Sequence, residues 1–149
     1  MKKIALVSGA TAGIGKATAE ILAKNGYNVI ITGRRNERLQ ELKKEIESAT
    51  DSKVYPLNFD VRDNKQVCDA IDSLPEEWKN IDVLVNNAGL ASGLDPIQSG
   101  DIEDWEKMID TNVKGLLYLT RKVSPMMIER KSGHIVNIDS IAGKEVYAN

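Results

Sequence analysis

The chain has 149 residues, of which 42% are hydrophobic and 28% are charged, and its formal net charge is −2. This length fits a single domain, because domains usually contain about 100–200 residues. Without a basic excess, neither nucleic acid nor an anionic membrane surface is the expected partner. The single cysteine, Cys68, excludes an internal disulfide and suits a reducing compartment such as the cytoplasm. No apolar run approaches the ~18 residues that span a bilayer.

Short apolar runs predict five strands along the chain. They cover residues 4–7, 29–31, 54–57, 81–85 and 134–138. Both faces of the first run are apolar, as expected of a parallel strand that is covered on two sides. Pro56 lies within the third run, and proline has no N–H to donate, so this strand should lie at an edge of the sheet.

Helical periodicity predicts four helices between these strands. The first follows a glycine-rich segment and ends near Asn25, Asn36 caps the second, and Asp63 begins the third in a capping box. Asp101 begins a long fourth helix, which Pro125 should kink or end. This alternation predicts an α/β fold over residues 1–149, a doubly wound, Rossmann-like parallel sheet. Ligands bind such folds at the carboxyl ends of the strands.

The first strand is followed by a glycine-rich segment, Gly9-x-x-x-Gly13-x-Gly15. Glycines there allow a sharp turn and close approach of a pyrophosphate to the N-terminus of the next helix. The same spacing is also compatible with a purely structural turn. It is not a P-loop, because Ala17 stands where a serine or threonine would bind magnesium. No metal site is predicted.

Two arginines, Arg34 and Arg35, follow the second strand. An NAD site usually has an acidic residue in this neighbourhood, which accepts a hydrogen bond from the ribose 2′-hydroxyl. A guanidinium can instead bind the 2′-phosphate of NADP. The alternative is ordinary surface charge. However, a helix N-terminus disfavours cations, so two arginines there indicate an anionic ligand and favour NADP over NAD.

Polar residues also follow the third and fourth strands. Asp60 has a carboxylate that could accept a hydrogen bond from an adenine amino group. The nearby acid Asp63 is instead predicted only to cap the third helix. The segment Asn86-Asn87-Ala88-Gly89 forms a tight turn that can bond neighbouring strand ends and leave room for a ribose. An asparagine-rich structural turn is the alternative.

Two further polar residues complete the pattern. Asn112 falls on the apolar stripe of the fourth helix, where a buried amide needs hydrogen-bond partners. It is either a satisfied structural residue or part of a site. Ser140 ends the fifth strand, where a side chain reaches the ligand crevice, and a serine there is either a turn former, a helix cap or a functional group.

Together, the glycine segment, the Asn-Asn-Ala-Gly turn, Asn112 and Ser140 resemble the classical short-chain dehydrogenase/reductases. Residues 33–39, 80–91 and 103–112 are similar to the NADP-dependent serine/3-hydroxy acid dehydrogenase branch. The resemblance implies hydride transfer between NADP and a small hydroxy or keto substrate in a homo-oligomer, a dimer or tetramer. It assigns cofactor contacts to Gly9, Ala10, Thr11, Ala12, Gly13, Ile14, Gly15, Arg34, Arg35, Asp60, Val61, Asn87, Ala88 and Gly89. It assigns catalytic roles to Ser140, which would hold the substrate oxygen, and to Asn112, which would hold a water of the proton relay.

The sequence departs from this family at two places. Asp139 precedes Ser140, where the branch tends to carry a small neutral residue, and an acid there could disfavour a carboxylate substrate. The family's Tyr-x-x-x-Lys pair is absent, since Tyr147 has no lysine four residues later. The chain is therefore expected to be the cofactor-binding portion of a dehydrogenase, without the C-terminal catalytic and substrate region, and inactive alone.

Two other classes of function remain open at this point. One is a non-catalytic NADP(H)-binding or interaction module. The other is a methyltransferase, which shares glycine-rich α/β turns but usually has an acid after the second strand, against which Arg34 argues. A bare edge at the fifth strand and an uncovered fourth helix are expected to promote self-association.

Overall fold

The structure, a computed structural model, describes residues 2–145. Within these residues one parallel sheet has the strand order β3-β2-β1-β4-β5. Its strands are β1 (Ile4–Val7), β2 (Asn28–Gly33), β3 (Val54–Asn58), β4 (Ile81–Asn86) and β5 (His134–Asn137). The predicted doubly wound parallel sheet is confirmed. Pro56 lies in β3 at a sheet edge, as predicted.

Helices cover both faces of this sheet. They are α1 (Gly13–Lys24), α2 (Asn36–Ala49), α3 (Asn64–Asp72), α4 (Ile102–Met108) and α5 (Leu116–Glu129). On one face, α1 and α2 pack alanine, leucine and isoleucine side chains against Val7, Val29 and Ile31. On the other, α3 and α5 pack against Leu6 and Leu84. Two faces buried in this way explain why the central strands are continuously apolar.

The prediction for the start of α2 was wrong. Arg35, not Asn36, is the residue that flanks the helix, and it makes no side-chain capping bond. β2 continues to Gly33, so only two residues remain before α2 begins. The guanidinium of Arg35 donates instead to Thr11 Oγ1 at 2.6 Å. Asn36 becomes the first helical residue.

Pro125 does not end the fourth helix, because α5 continues through it to Glu129. Val123 and Met127 are buried on either side of the proline, so packing holds both halves of the helix against the sheet. Pro125 and Arg121 both lie on the exposed side of α5. Water can therefore bond the backbone carbonyl that the missing proline N–H leaves free.

A π-helical segment, Ile109–Gly115, joins α4 to α5 in one continuous helical run. The sequence pattern did not predict it. Asp101 does cap the start of this run, since its carboxylate accepts from the N–H of Glu103 at 2.8 Å, as predicted. Single π-helical turns inside helices occur frequently at functional sites.

The order of the strands defines where a ligand can bind. The chain moves outward from β1 to β2 and β3, then crosses back to place β4 on the other side of β1. The connections after β1 and β4 therefore leave the sheet in opposite directions. This reversal opens a crevice at the carboxyl ends of β1 and β4.

Candidate functional site

The loops that follow the strands converge on one cavity of ≈ 1030 Å³. Small-molecule pockets usually measure about 300–1,000 Å³, so this cavity suits a large or extended ligand. The predicted site residues that line it are Gly9, Thr11, Ala12, Ile14, Arg34, Arg35, Asp60, Val61, Asn87, Ala88, Gly89, Asn112 and Ser140. The structure thus brings together residues more than 130 positions apart in the chain.

Three residues of the predicted glycine-rich segment do not line the cavity. Ala10 and Gly15 are buried beneath it, and Gly13 is exposed outside it with φ +55°. A Cβ at Gly15 would collide with the carbonyl oxygen of Gly9 and the side-chain amide of Asn87. Gly15 therefore allows α1 to begin directly against the loop, whereas its own atoms do not reach the ligand space.

Gly9 is required for a close approach between two loops. Its φ is +67°, a region that L-residues rarely adopt, and a Cβ there would lie 2.8 Å from Cα of Ala88. The β1–α1 loop consequently packs directly on the turn after β4. This contact forms the floor of the cavity at the crevice between the two strands.

Ser8, whose role the sequence pattern did not predict, holds these two loops together. Its buried hydroxyl accepts from the backbone N–H groups of Asn87 and Ala88, both at 3.0 Å. The side-chain amide of Asn87 donates in return to the carbonyl oxygens of Ser8, at 2.9 Å, and Gly9, at 3.3 Å. The available signal was a polar residue placed directly after a fully apolar strand. Asn87 thus has a structural role in addition to its place on the cavity wall.

The end of the cavity beside β2 and β3 is cationic. The side chain of Arg34 is 60% exposed, and its guanidinium lies 3.9 Å from the carboxylate of Asp60. That carboxylate is bound more closely by Arg62, which donates to both of its oxygens at 2.7–3.1 Å. Within residues 2–145, this long contact with Asp60 is the only ion pair of Arg34, so its guanidinium can still bind another anion.

The pKa of Asp60 reflects this environment. Burial raises the pKa of this carboxyl. Hydrogen bonds from the side chain and backbone of Arg62, together with the charges of Arg62 and Arg34, lower the pKa by more than burial raises it. The net result is a pKa below the usual range. Asp60 therefore remains a carboxylate that can accept a hydrogen bond, although Arg62 already occupies part of its acceptor capacity.

Asn112 lies in the π-helical segment and is exposed on the cavity wall, so the expectation that it is buried on the apolar stripe was wrong. Its Oδ1 accepts from the N–H of Leu90 at 2.9 Å, and its Nδ2 donates to the carbonyl of the same residue at 2.8 Å. The physical reason is that i→i+5 bonding rotates the side chains away from the 3.6-residue periodicity. Asn112 pins the loop after β4 to this helical run.

Ser140 lies just after β5 and caps a short 3₁₀ helix, Ile141–Gly143. Its Oγ accepts from the N–H of Ala142 at 3.2 Å, while its own N–H donates to Oδ1 of Asp139 at 2.8 Å. A hydroxyl that accepts one bond keeps its proton available for donation. Ser140 therefore acts as a helix cap and still presents a donor to the cavity. Tyr147 lies outside the described residues.

Several further residues line the cavity without having been predicted. They are Gly33, Phe59, Leu90, Ala91, Met108, Thr111, Leu116, Asn137, Ile138, Asp139 and Ala142. Many of them directly neighbour a predicted residue in the chain. Thr111 is notable because its hydroxyl is buried and has no hydrogen-bond partner within the described part of the chain.

Across residues 2–145, no helix is both long and apolar enough to cross a membrane. The same residues contain no group of three or more histidine, cysteine or acidic side chains arranged to hold a metal ion.

The fold and this crevice define a doubly wound α/β domain with a ligand site at its topological switch point. A family model described as short chain dehydrogenase matches residues 3–149. The chain belongs to the short chain dehydrogenase family.

Similar proteins include the NADP-dependent 3-hydroxy acid dehydrogenase YdfG of Escherichia coli, which is 52% identical over 145 residues. Sulfoacetaldehyde reductase 2 of Chromohalobacter salexigens is 47% identical over 148 residues. These matches cover 97% and 99% of this chain but only 57% and 58% of the relatives. The chain thus spans little more than half the length of these relatives. A solved closed form of serine dehydrogenase complexed with NADP⁺ matches with a TM-score of 0.92 and 52% identity, over 97% of this chain and 57% of that structure.

Proposed function

We propose that residues 1–149 form the NADP-binding portion of an oxidoreductase that acts on a small hydroxy or keto compound. The observation that carries this proposal is the exposed guanidinium of Arg34 at the cavity wall beside β2, where an NAD site usually has an acid. When bound, the nicotinamide would take a hydride from a carbinol carbon, so that alcohol and NADP⁺ give carbonyl compound, NADPH and a proton. The printed names of the relatives, which include NADP dependence, support the same reading.

The residues present fit a dinucleotide. The cavity is large, and Gly9 allows the β1–α1 loop to pack directly on the turn after β4 at its floor. The start of α1 supplies free backbone N–H groups, and no side chain caps this helix. A helix N-terminus without a side-chain cap suits a phosphate.

We assign roles to the cavity residues on this basis. The loop from Gly9 to Ile14 would bind the pyrophosphate, including Ala10, Gly13 and Gly15 as its supporting backbone. Arg34 and Arg35 would bind the 2′-phosphate. Asp60 and Val61 would contact the adenine, and the turn Asn87-Ala88-Gly89 would contact the ribose. Ser140 would donate to the substrate oxygen, and Asn112 would hold a water of the proton relay.

The substrate and assembly belong to the same proposal. Small hydroxy compounds such as 3-hydroxy acids or serine are the class that the names of the relatives suggest. A homo-oligomer is supported by a stripe of exposed apolar side chains, Ile109, Val113 and Leu117, whose exposure is 51%, 52% and 56%. A cytoplasmic location suits the free cysteine, Cys68.

The test is a parallel titration of the protein with NADPH and NADH, followed by nicotinamide fluorescence. We expect tighter binding of NADPH, and Arg34→Ala should weaken NADPH binding by about tenfold to a hundredfold, the usual worth of hydrogen bonds to a charged group. NADH binding should change less. Arg38→Ala removes a neighbouring exposed arginine that does not line the cavity and serves as the control.

Tighter binding of NADH, or equal effects of the two arginine variants, would contradict the cofactor assignment. Binding of NADPH without turnover of any hydroxy or keto compound by the natural gene product would instead favour a non-catalytic NADP(H)-binding module.

A further inference from the structure

The charged residues of the cavity are divided between its two ends. Of the described residues that line it, Arg34, Arg35 and Asp60 follow β2 and β3, whereas Asp139 follows β5. β2 and β5 are separated by β1 and β4, which corresponds to roughly 14 Å at the usual spacing of strands. This exceeds the Debye length of about 8 Å at physiological salt. The arginines therefore do not neutralise the carboxylate of Asp139.

The carboxylate of Asp139 is held in one place. Its Oδ1 accepts from the N–H of Ser140 at 2.8 Å. A Cβ built at Gly143 would lie 3.1 Å from Oδ2 and 3.2 Å from Oδ1, so the carboxylate lies against Gly143 of the 3₁₀ helix. None of the ion pairs formed within residues 2–145 includes Asp139. A negative charge held by the backbone of Ser140 thus lies on the same part of the cavity wall as that serine.

We propose that Asp139 sets the charge preference of this site, so that it accepts uncharged or cationic carbonyl compounds in preference to carboxylates. This inference rests on the proposed function, because it concerns the compound whose oxygen Ser140 would hold. A substrate carboxylate placed near Ser140 would be repelled by the carboxylate of Asp139. An amide would not be repelled, and an ammonium group would be attracted. Within the small hydroxy and keto compounds of the proposed function, Asp139 would therefore disfavour 3-hydroxy acids, which are named for the 3-hydroxy acid dehydrogenase relative, and favour compounds without a carboxylate.

The size of the effect follows from Coulomb's law. Without screening, two unit charges about 8 Å apart, at an effective dielectric constant of about 30, repel enough to change an affinity by about tenfold. At physiological salt, screening over one Debye length reduces this change to about twofold to threefold. The repulsion is screened by salt, because the cavity is open to solvent. A purely structural role of Asp139 would not produce that dependence on salt.

The experiment compares 3-oxobutanoate with 3-oxobutanamide as substrates of the natural gene product, with NADPH as reductant. The two compounds share the reacting carbonyl and nearly the same shape, so any effect of Asp139 on charge that develops at the oxygen cancels in the ratio of kcat/KM. Asp139→Asn removes the charge and keeps an oxygen that can accept from Ser140. Asp51→Asn removes the same charge from an exposed position before β3, at the opposite edge of the sheet.

At about 0.02 M salt, we expect the wild-type protein to prefer the amide and Asp139→Asn to reduce that preference by about fivefold to tenfold. The preference should also shrink as salt is raised from about 0.02 M to about 0.5 M in the wild type, but not in Asp139→Asn. Asp51→Asn should behave like the wild type. Binding of both compounds to the NADPH-saturated protein, followed by ligand-observed NMR, gives the same ratio without any need for turnover.

The possible failures are distinguishable. If NADPH does not bind, the proposed function and the inference are both wrong. If NADPH binds but Asp139→Asn leaves the ratio and its dependence on salt unchanged, only the role of Asp139 is refuted. A wild-type preference for 3-oxobutanoate would refute it as well.

Discussion

Replacing Ser8 by alanine tests whether the two loops of the crevice depend on one hydroxyl. Ser8 is only 2% exposed, and its Oγ accepts the N–H groups of Asn87 and Ala88 at 3.0 Å each. Alanine has a similar volume but no acceptor, so both N–H groups lose their partner. The carbonyl of Val85, to which the hydroxyl donates, still accepts from the N–H of Ser8 and is not left unpaired.

The expected loss of stability follows from the two N–H groups, those of Asn87 and Ala88, that lose their acceptor. An unsatisfied buried donor costs about 1–3 kcal/mol. Since the turn is only partly buried, we expect each N–H to contribute near the lower limit, so that Ser8→Ala lowers the free energy of unfolding by about 2–3 kcal/mol. Ser52 provides a matched control. It is also buried, but its hydroxyl only donates to the carbonyl of Ala23, which also accepts from Gly26. Ser52→Ala should therefore cost about 1 kcal/mol or less.

Urea unfolding of the wild type and both variants, followed by circular dichroism, measures these differences. NADPH titrations of the same samples report on the site. Ser8→Ala should also weaken NADPH binding, because the turn that carries Asn87 and Gly89 loses its anchor, whereas Ser52→Ala should not. If Ser8→Ala is no more destabilising than Ser52→Ala, the hydroxyl does not hold the two loops and the reasoning fails.

Two further predictions concern charge and assembly. The lowered pKa of Asp60 means that its carboxylate stabilises the fold above about pH 4 and that this stabilisation is lost as the pH falls through the folded-state pKa. Urea unfolding between about pH 7 and about pH 2.5 should therefore show wild type and Asp60→Asn converging in acid, and a constant difference would contradict the pairing with Arg62. Val113→Glu places a charge in the exposed apolar stripe and should reduce self-association, measured as molar mass by light scattering, whereas Gln40→Glu, at an exposed position of α2, should not. Equal molar masses for the wild type and both variants would contradict a role of the stripe in self-association.

The location of the site was predictable because its residues interrupt the apolar pattern. Each strand is a short hydrophobic run, and the residues that end those runs, such as Gly9, Arg34 and Asn87, are glycine, charged or amide residues. In a parallel sheet the carboxyl ends of the strands lie at one edge, so these interruptions must meet there. The edge position of β3 was predictable for a similar reason, since proline lacks the N–H that an interior strand would need.

The features that were not predicted depend on tertiary contacts. The π-helical segment Ile109–Gly115 changes the angular position of Asn112, and a pattern that assumes 3.6 residues per turn cannot detect this change. Packing of Val123 and Met127 overrides the preference of Pro125 to end a helix. Ser8 resembled part of a glycine-rich turn, and only the approach of a loop 79 residues away reveals its role.

The central position of β1 affects the order in which the site can form. β1 precedes the other strands in the chain, yet it pairs with β4, which begins at Ile81. The hydroxyl of Ser8 likewise accepts its hydrogen bond only after Asn87 has been brought next to β1. Such long-range contacts form late, because the intervening chain must first lose its conformational freedom. The nucleotide-binding site therefore forms only when most of the sheet has assembled. Its binding should slow unfolding and leave the rate of folding unchanged.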